Sequence, residues 1–328
     1  MEVAPSAPVR APWAVMLPVA GTLAGAAILL RFVATAGGAG LQNFLLVFSS
    51  LLVEAVPFIV LGAVVSASIE VFVPAQAFVR LTRLPRPLQL PAAGFAGIAF
   101  PVCECGSVPV ARRLMSKGLS SAGAVTFMLA APILNPVVLI STWVAYRGRD
   151  TLWPMVIGRA GLGLLAAMAV GWVVAQQGKE DLLRSAPDEH EHVGEPRWRA
   201  FFGHLAGDFV FMGRFLVLGA AVAAGLQTFV PQSVIGSVAE TPILNLIAMM
   251  LLAFLLSLCS ESDAFVAASF VQFGVGAQLA FLVFGPMVDT KLGFLYSGTF
   301  KRGFLPTVII VVGAVTLAGT LWLEVLFG

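Results

Sequence analysis

The chain has 328 residues, of which 59% are hydrophobic and 11% charged, with a mean hydropathy of +0.96 and a formal net charge of +2. A soluble domain carries about 25% charged residues, so this composition excludes a water-facing globule and makes lipid the solvent for most of the surface. Three cysteines are too few for a disulfide scaffold.

From the N-terminus, apolar runs long enough to span a bilayer (about 20 residues at 1.5 Å rise) follow one another. Trp13 to Phe32 comes first. Ala34-Thr35-Ala36 behind it imitates a signal-peptide cleavage site, but the run is long for one and Arg31 closes it, so a retained helix is preferred. Then come Phe44 to Val73, Leu90 to Leu114, Ala122 to Tyr146 and Leu152 to Val174. Residues 176–199 are charged, contain two prolines and read as a cytoplasmic linker. Its Asp188-Glu189-His190-Glu191-His192 tract has the donors for a divalent metal, although a solvated acidic loop is the simpler account. Phe209 to Phe229, Ile243 to Phe270, Ala277 to Tyr296 and Phe304 to Phe327 complete the chain. Leu90 to Leu114 and Ile243 to Phe270 differ from the rest, because a polar, cysteine-bearing stretch interrupts each.

The chain repeats itself. FIVLGAVVSASIEVFVP (Phe58 to Pro74) and FLVLGAAVAAGLQTFVP (Phe215 to Pro231) are identical at 10 of 17 positions at a constant offset of 157. Downstream, PVCECGSVPVA lies over SLCSESDAFVA, which matches Cys103 with Cys259, Cys105 with Glu261 and Ser107 with Asp263. Further on, Pro132 matches Pro286 and Asn135 matches Asp289. Lys and Arg gather on the cytoplasmic side of membrane proteins. If both interrupted runs cross fully, the basic loop residues divide evenly; if both re-enter, 13 fall on one side and only Arg31, Arg147 and Arg149 on the other. The biased arrangement makes the repeats inverted, as in many secondary transporters. The expected fold is an all-α polytopic membrane protein with two inverted repeats, each with a broken or re-entrant helix pair at the bilayer midplane. Its divisions are an N-terminal transmembrane helix (1–40), a first membrane repeat (41–175), the linker (176–199) and a second membrane repeat (200–328).

FPVCECGSVP, Phe100 to Pro109, carries two prolines and a glycine and cannot form a regular helix interior. The break frees backbone carbonyls and a half-helix N-terminus, which favours anions, including thiolates. Cys103 and Cys105 offer two soft ligands to one thiophilic centre or metal ion, and Cys259 a third; alternatively the cysteines are small packing residues. Glu54, Glu104, Asp208, Glu261, Asp263 and Asp289 lie within apolar spans, where a charge costs at least about 2.5–3.5 kcal/mol and usually faces a pathway or a partner. These acids are candidates for proton or ion coupling; the alternative is a structural ion pair, such as Asp289 with Lys291 or Asp208 with Arg214. Asn135, with Gly106, Ser107 and Ser260 beside the cysteines, joins the candidate substrate-binding set.

PVCECGSVPVARRL with the following F-x-L-A-A-P-I-L-N-P stretch, and LCSESDAFVAASF with LAFLVFGPMVD, resemble a bacterial predicted-permease family that includes organoarsenical efflux permeases. The resemblance covers roughly residues 41–328. It implies efflux of a small solute across the bacterial inner membrane, with trivalent organoarsenicals exported by some members and copper or zinc linked to others. The matching positions are Cys103, Cys105, Gly106, Pro109, Ser260, Asp263 and Asp289. A secondary transporter is the resulting expectation, with a passive channel or a membrane thiol oxidoreductase as alternatives. The lipid bilayer and the solute are the expected partners, a homo-oligomer is compatible with them, and neither nucleic acid nor a cofactor is expected. No G-x-x-x-x-G-K-[S/T] motif is present, so ATP-driven pumping would need a separate subunit.

Overall fold

The structure, a computed structural model, describes residues 38–73, 85–100, 102–177, 182–184, 196–229 and 242–327. Trp13 to Phe32, the Ala34-Thr35-Ala36 site and the Asp188 to His192 tract lie outside the described residues. The first half holds α1 (Ala39–Phe72), α2 (Arg86–Ala99), α3 (Glu104–Ser116), α4 (Ser121–Leu134), α5 (Pro136–Ala145) and α6 (Leu152–Gln176). The second holds α7 (Arg197–Phe229), α8 (Pro242–Leu256), α9 (Asp263–Ser269), α10 (Val275–Phe284), α11 (Thr290–Thr299) and α12 (Phe304–Phe327). Beyond helices, the described residues form one isolated antiparallel bridge, Leu183 with Phe300. Among the described residues, five stretches are long and apolar enough to cross a membrane: Gly40–Phe72, Ser121–Ala145, Leu152–Gln176, Arg197–Phe229 and Phe304–Glu324. The described part of the chain is thus all-helical and polytopic.

Local chemistry sets the breaks. α4 and α5 are one crossing interrupted at Asn135: Pro136 has no N–H to continue the ladder, and Asn135 Oδ1 accepts the Val137 N–H at 3.0 Å to start a new helix. Ser120 starts α4 the same way, accepting from the Gly123 N–H at 3.1 Å. Between α3 and α4 the chain turns at Gly118, whose φ of +91° suits a residue without a Cβ. At the second break Ser257 takes a left-handed φ of +47°, and its hydroxyl accepts the Thr290 N–H at 3.1 Å.

α4 and α10 are both central, with every residue of Ala122–Leu134 and of Gly276–Phe284 buried. α1 and α7 pair along their lengths and run antiparallel: Asn43 Nδ2 donates to Thr228 Oγ1 at one end, and the Phe72 ring meets Trp198 and Phe201 at the other. α3 runs parallel to the second half of α1. Gly106 faces Gly62, and Lys117 Nζ donates to the Glu70 and Val73 carbonyls at 2.6 and 2.9 Å. α2 runs parallel to α4, with Gly94 beside Thr126 and Ala130 and Gly97 against Ala131. The outer surface is apolar, with Val53, Ile157, Val210, Ile310 and Trp322 all exposed, as a lipid-facing surface must be.

Candidate functional site

The two cysteine-bearing breaks meet inside the protein. At the first, Cys103 caps α3, its Sγ accepting the Gly106 N–H at 3.3 Å while its carbonyl accepts from Ser107 N–H at 3.0 Å. Ser107 Oγ donates to the Glu104 carbonyl at 2.9 Å. At the second, the Cys259 carbonyl accepts from the Ser262 and Asp263 N–H groups, both at 3.0 Å. Two hydroxyls then tie the breaks to the first half: Ser260 Oγ donates to Glu104 Oε2, and Ser262 Oγ to Glu54 Oε1, each at 2.9 Å.

Lys291 is the centre of this region. It projects from the first turn of α11 and is 2% exposed. Its ammonium stands 3.6 Å from Asp289 Oδ2 and 3.9 Å from Glu104 Oε1. Cys105 and Cys259 both lie within its electrostatic reach. Asp289 also caps α11, its Oδ1 accepting the Leu292 N–H at 2.6 Å. Lys291 Nζ, Glu104 Oε1 and Asp289 Oδ2 make no hydrogen bond within the protein, nor does either buried carboxylate oxygen of Glu261, an electrostatic neighbour of Glu104. Ile59, Cys105, Met212, Leu216, Lys291 and Leu295 surround a cavity of about 10 Å³, which holds about one water-sized group.

Several sequence-chosen residues stand elsewhere. Asp263 is held by Arg159, which donates Nη1 to Oδ1 at 2.9 Å and Nη2 to Oδ2 at 2.7 Å, and also reaches Thr142 Oγ1 and the Ser260 carbonyl. Asp208 lies toward the far end of α3, accepting from Ser66 Oγ at 2.6 Å and pairing with Arg113 at 3.5 Å. Arg214, its sequence-suggested mate, stacks instead over Phe211 and Phe215. Asn135 is buried, with its side-chain oxygen used as a cap. Cys103 and Cys105 are two positions apart at a helix start, so they do not share a face, and among the described residues no group of three or more His, Cys, Asp or Glu is arranged to hold a metal ion. From the sequence, Lys291 stood only as a structural partner for Asp289, and Arg159 and Arg113 had no role at the site. Each acid inside an apolar span implies a partner, and that was the available signal.

The predicted permease family ArsP_1 matches residues 40–324. UPF0718 protein YcgR of Bacillus subtilis is 39% identical over 282 residues, covering 84% of this chain and 95% of its own. A Streptococcus mutans protein named as a subunit of a two-component membrane permease complex is 35% identical over 271 residues, covering 80% and 88%. UPF0718 protein YraQ of Escherichia coli is 24% identical over 172 residues, about half of each chain. No solved structure matches. The long apolar helices, the buried charged chamber between the two halves and these relatives agree on a multi-pass membrane protein that is a transporter rather than an enzyme, and the chain belongs to the predicted permease family.

Proposed function

We propose that this permease exports a small thiophilic solute, a trivalent organoarsenical or a soft metal ion, across the bacterial inner membrane through the chamber around Lys291. One observation carries the reading: Cys105 lines one cavity with the buried ammonium of Lys291, which Glu104 and Asp289 flank, and Cys259 of the other half lies within electrostatic range of the same ammonium. A trivalent organoarsenical bearing two hydroxyls would exchange them for the two sulfurs. Two As–O and two S–H bonds break, two As–S bonds form, and two waters leave with no change of oxidation state. Glu104, Glu261 and Asp289 would handle the protons or ions that accompany the cargo, and Lys291 would offset their charge.

The two halves are read as inverted repeats, and α2–α3 and α8–α9 as re-entrant pairs. Support comes from the antiparallel packing of α1 on α7, and from the ends of α1 and α3 meeting through Lys117. The parallel run of α2 with α4 adds to it, because α4 begins where α3 ends. At 14 residues, α2 is about 21 Å long, too short for a hydrocarbon core of about 30 Å. The name of the Streptococcus mutans relative also motivates a search for a second polypeptide by co-purification of the tagged chain.

The decisive test is flux of methylarsonous acid in proteoliposomes containing wild-type protein or the Cys105→Ser/Cys259→Ser variant. Saturable flux in wild type, lost in the variant, is the expected result. Flux indifferent to both thiols would remove the thiol-ligation reading, and non-saturable flux would make the protein a channel.

A further inference from the structure

The end of α11 opposite Lys291 faces a second cavity, of about 330 Å³, between α11, the start of α12 and the linker. Arg184, Lys301 and Arg302 line it together with Tyr296, Phe300 and Leu305, and among the described residues no acidic side chain does. Hydrogen bonds fix the linker here. Arg184 N–H donates to the Thr299 carbonyl at 3.0 Å, and Lys301 N–H to the Leu182 carbonyl at 2.9 Å, which forms the Leu183–Phe300 bridge. The Arg184 guanidinium adds a bond to the Ser297 carbonyl at 2.9 Å, one use of its five N–H donors. The 24-residue α12 starts in the same wall and turns its positive end toward the cations. The apolar part of the lining leads onto the lipid-facing side of α12, where Ile310 is 68% exposed.

The geometry points to a binding site for a phosphate-bearing anion in this cavity, occupied by the head group of an acidic phospholipid. Clustered arginines match phosphate oxygens in charge and geometry, and basic pockets where helices meet a membrane face hold anionic head groups. The apolar wall running onto α12 favours a lipid over a free anion, because acyl chains can lie along it while the phosphate meets Arg184, Lys301 and Arg302. This inference needs only a multi-pass membrane protein and is independent of the cargo.

The full chain, purified in detergent, is titrated with phosphatidylglycerol or phosphatidylcholine while thermal unfolding is followed; inorganic phosphate and glycerol 3-phosphate serve as lipid-free arms. Arg184→Gln/Arg302→Gln tests the site at two exposed positions, with Arg147→Gln as an exposed control outside the cavity. Phosphatidylglycerol should raise the unfolding midpoint where phosphatidylcholine does not. Apparent affinity should fall about fivefold per removed charge, roughly 25-fold for the double variant, and stay unchanged in the control. Equal stabilisation by lipid-free phosphates, lost in the same variant, would uphold the phosphate site with a soluble occupant. A phosphatidylglycerol response that is the same in the double variant and wild type, or the same as that to phosphatidylcholine, would overturn it.

Discussion

Arg159 and Asp263, 104 positions apart in the chain, meet as a two-pronged ion pair at 2.9 and 2.7 Å, with Arg159 entirely buried. Removing one partner strands the other charge away from water. Arg159→Gln or Asp263→Asn should therefore cost about 3–5 kcal/mol, read as a lowered unfolding midpoint in detergent. Arg159→Met/Asp263→Leu, which strands neither, should recover part of that loss. If Asp263 instead served only as a coupling acid, Asp263→Asn would impair proton-driven flux and leave the midpoint where it was.

The crossing of α1 and α3 allows no side chain at its centre. A methyl group on Gly62 would overlap the backbone of Gly106, and one on Gly106 would lie 3.0 Å from Gly62 Cα. Gly62→Ala should destabilise the protein by about 1–3 kcal/mol through overpacking. In α7, a Cβ on Gly213 meets nothing within 4 Å, so Gly213→Ala should be neutral or stabilising by up to about 1 kcal/mol. Comparing the two midpoints tests the close approach directly, since both changes add the same methyl group to a helix.

Asn135 and Asp289 do the same job in the two halves, each accepting an N–H at the start of the helix beyond the break. Asn135→Ala should cost about 1 kcal/mol, the usual value of such a cap. Asp289→Ala should cost more, because Lys291 also loses its nearer carboxylate. Asp289→Asn keeps the capping oxygen and removes the charge. The difference between the Asn and Ala variants at 289 should therefore equal the cap alone, about 1 kcal/mol, in chemical or thermal unfolding.

The three cysteines should separate by role. Cys103 Sγ is a helix cap, and serine caps helices well, so Cys103→Ser should keep most of the flux and stability. Cys105 lines the chamber and Cys259 lies near Lys291. Cys105→Ser or Cys259→Ser alone should reduce flux of a trivalent organoarsenical at least tenfold, because one sulfur cannot chelate it; a tenfold change corresponds to about 1.4 kcal/mol. Equal loss in all three single variants would show that the cap and the ligands had been divided wrongly.

The break at Cys103 was legible because its cause is local, two prolines and a glycine within ten residues, although Gly106 and Pro109 themselves lie inside α3. The break at Asn135 was not, because Ala122 to Tyr146 reads as one apolar run and Pro57, Pro91 and Pro132 sit inside helices without ending them, so Pro136 alone was no sure sign. The matching of Asn135 with Asp289 could be read from the repeat, and the pairing of Asp289 with Lys291 from their closeness in the chain. The partners of the remaining buried acids could not. Arg113 and Asp208 are 95 positions apart, and Ser260 and Glu104 are 156 apart, so only the packed fold brings them together. Arg214 was a poor guess for Asp208 because residues six apart on a helix point to different faces; Phe211, three positions away, is what its guanidinium covers. An apolar span containing one arginine announces that a partner exists without saying on which helix.

α1 and α7, with 34 and 33 residues, are each about 50 Å long, whereas the hydrocarbon layer measures about 30 Å. Their antiparallel contact runs from Asn43 and Thr228 to Phe72 and Trp198, so they lean or protrude as a unit. A helix longer than the hydrocarbon layer tilts, and the tilt follows bilayer thickness. Ile59 of α1 and Met212 and Leu216 of α7 form one wall of the Cys105–Lys291 chamber. A thinner or thicker bilayer therefore acts as a mechanical load on that wall, applied from outside the chamber by the lipid itself.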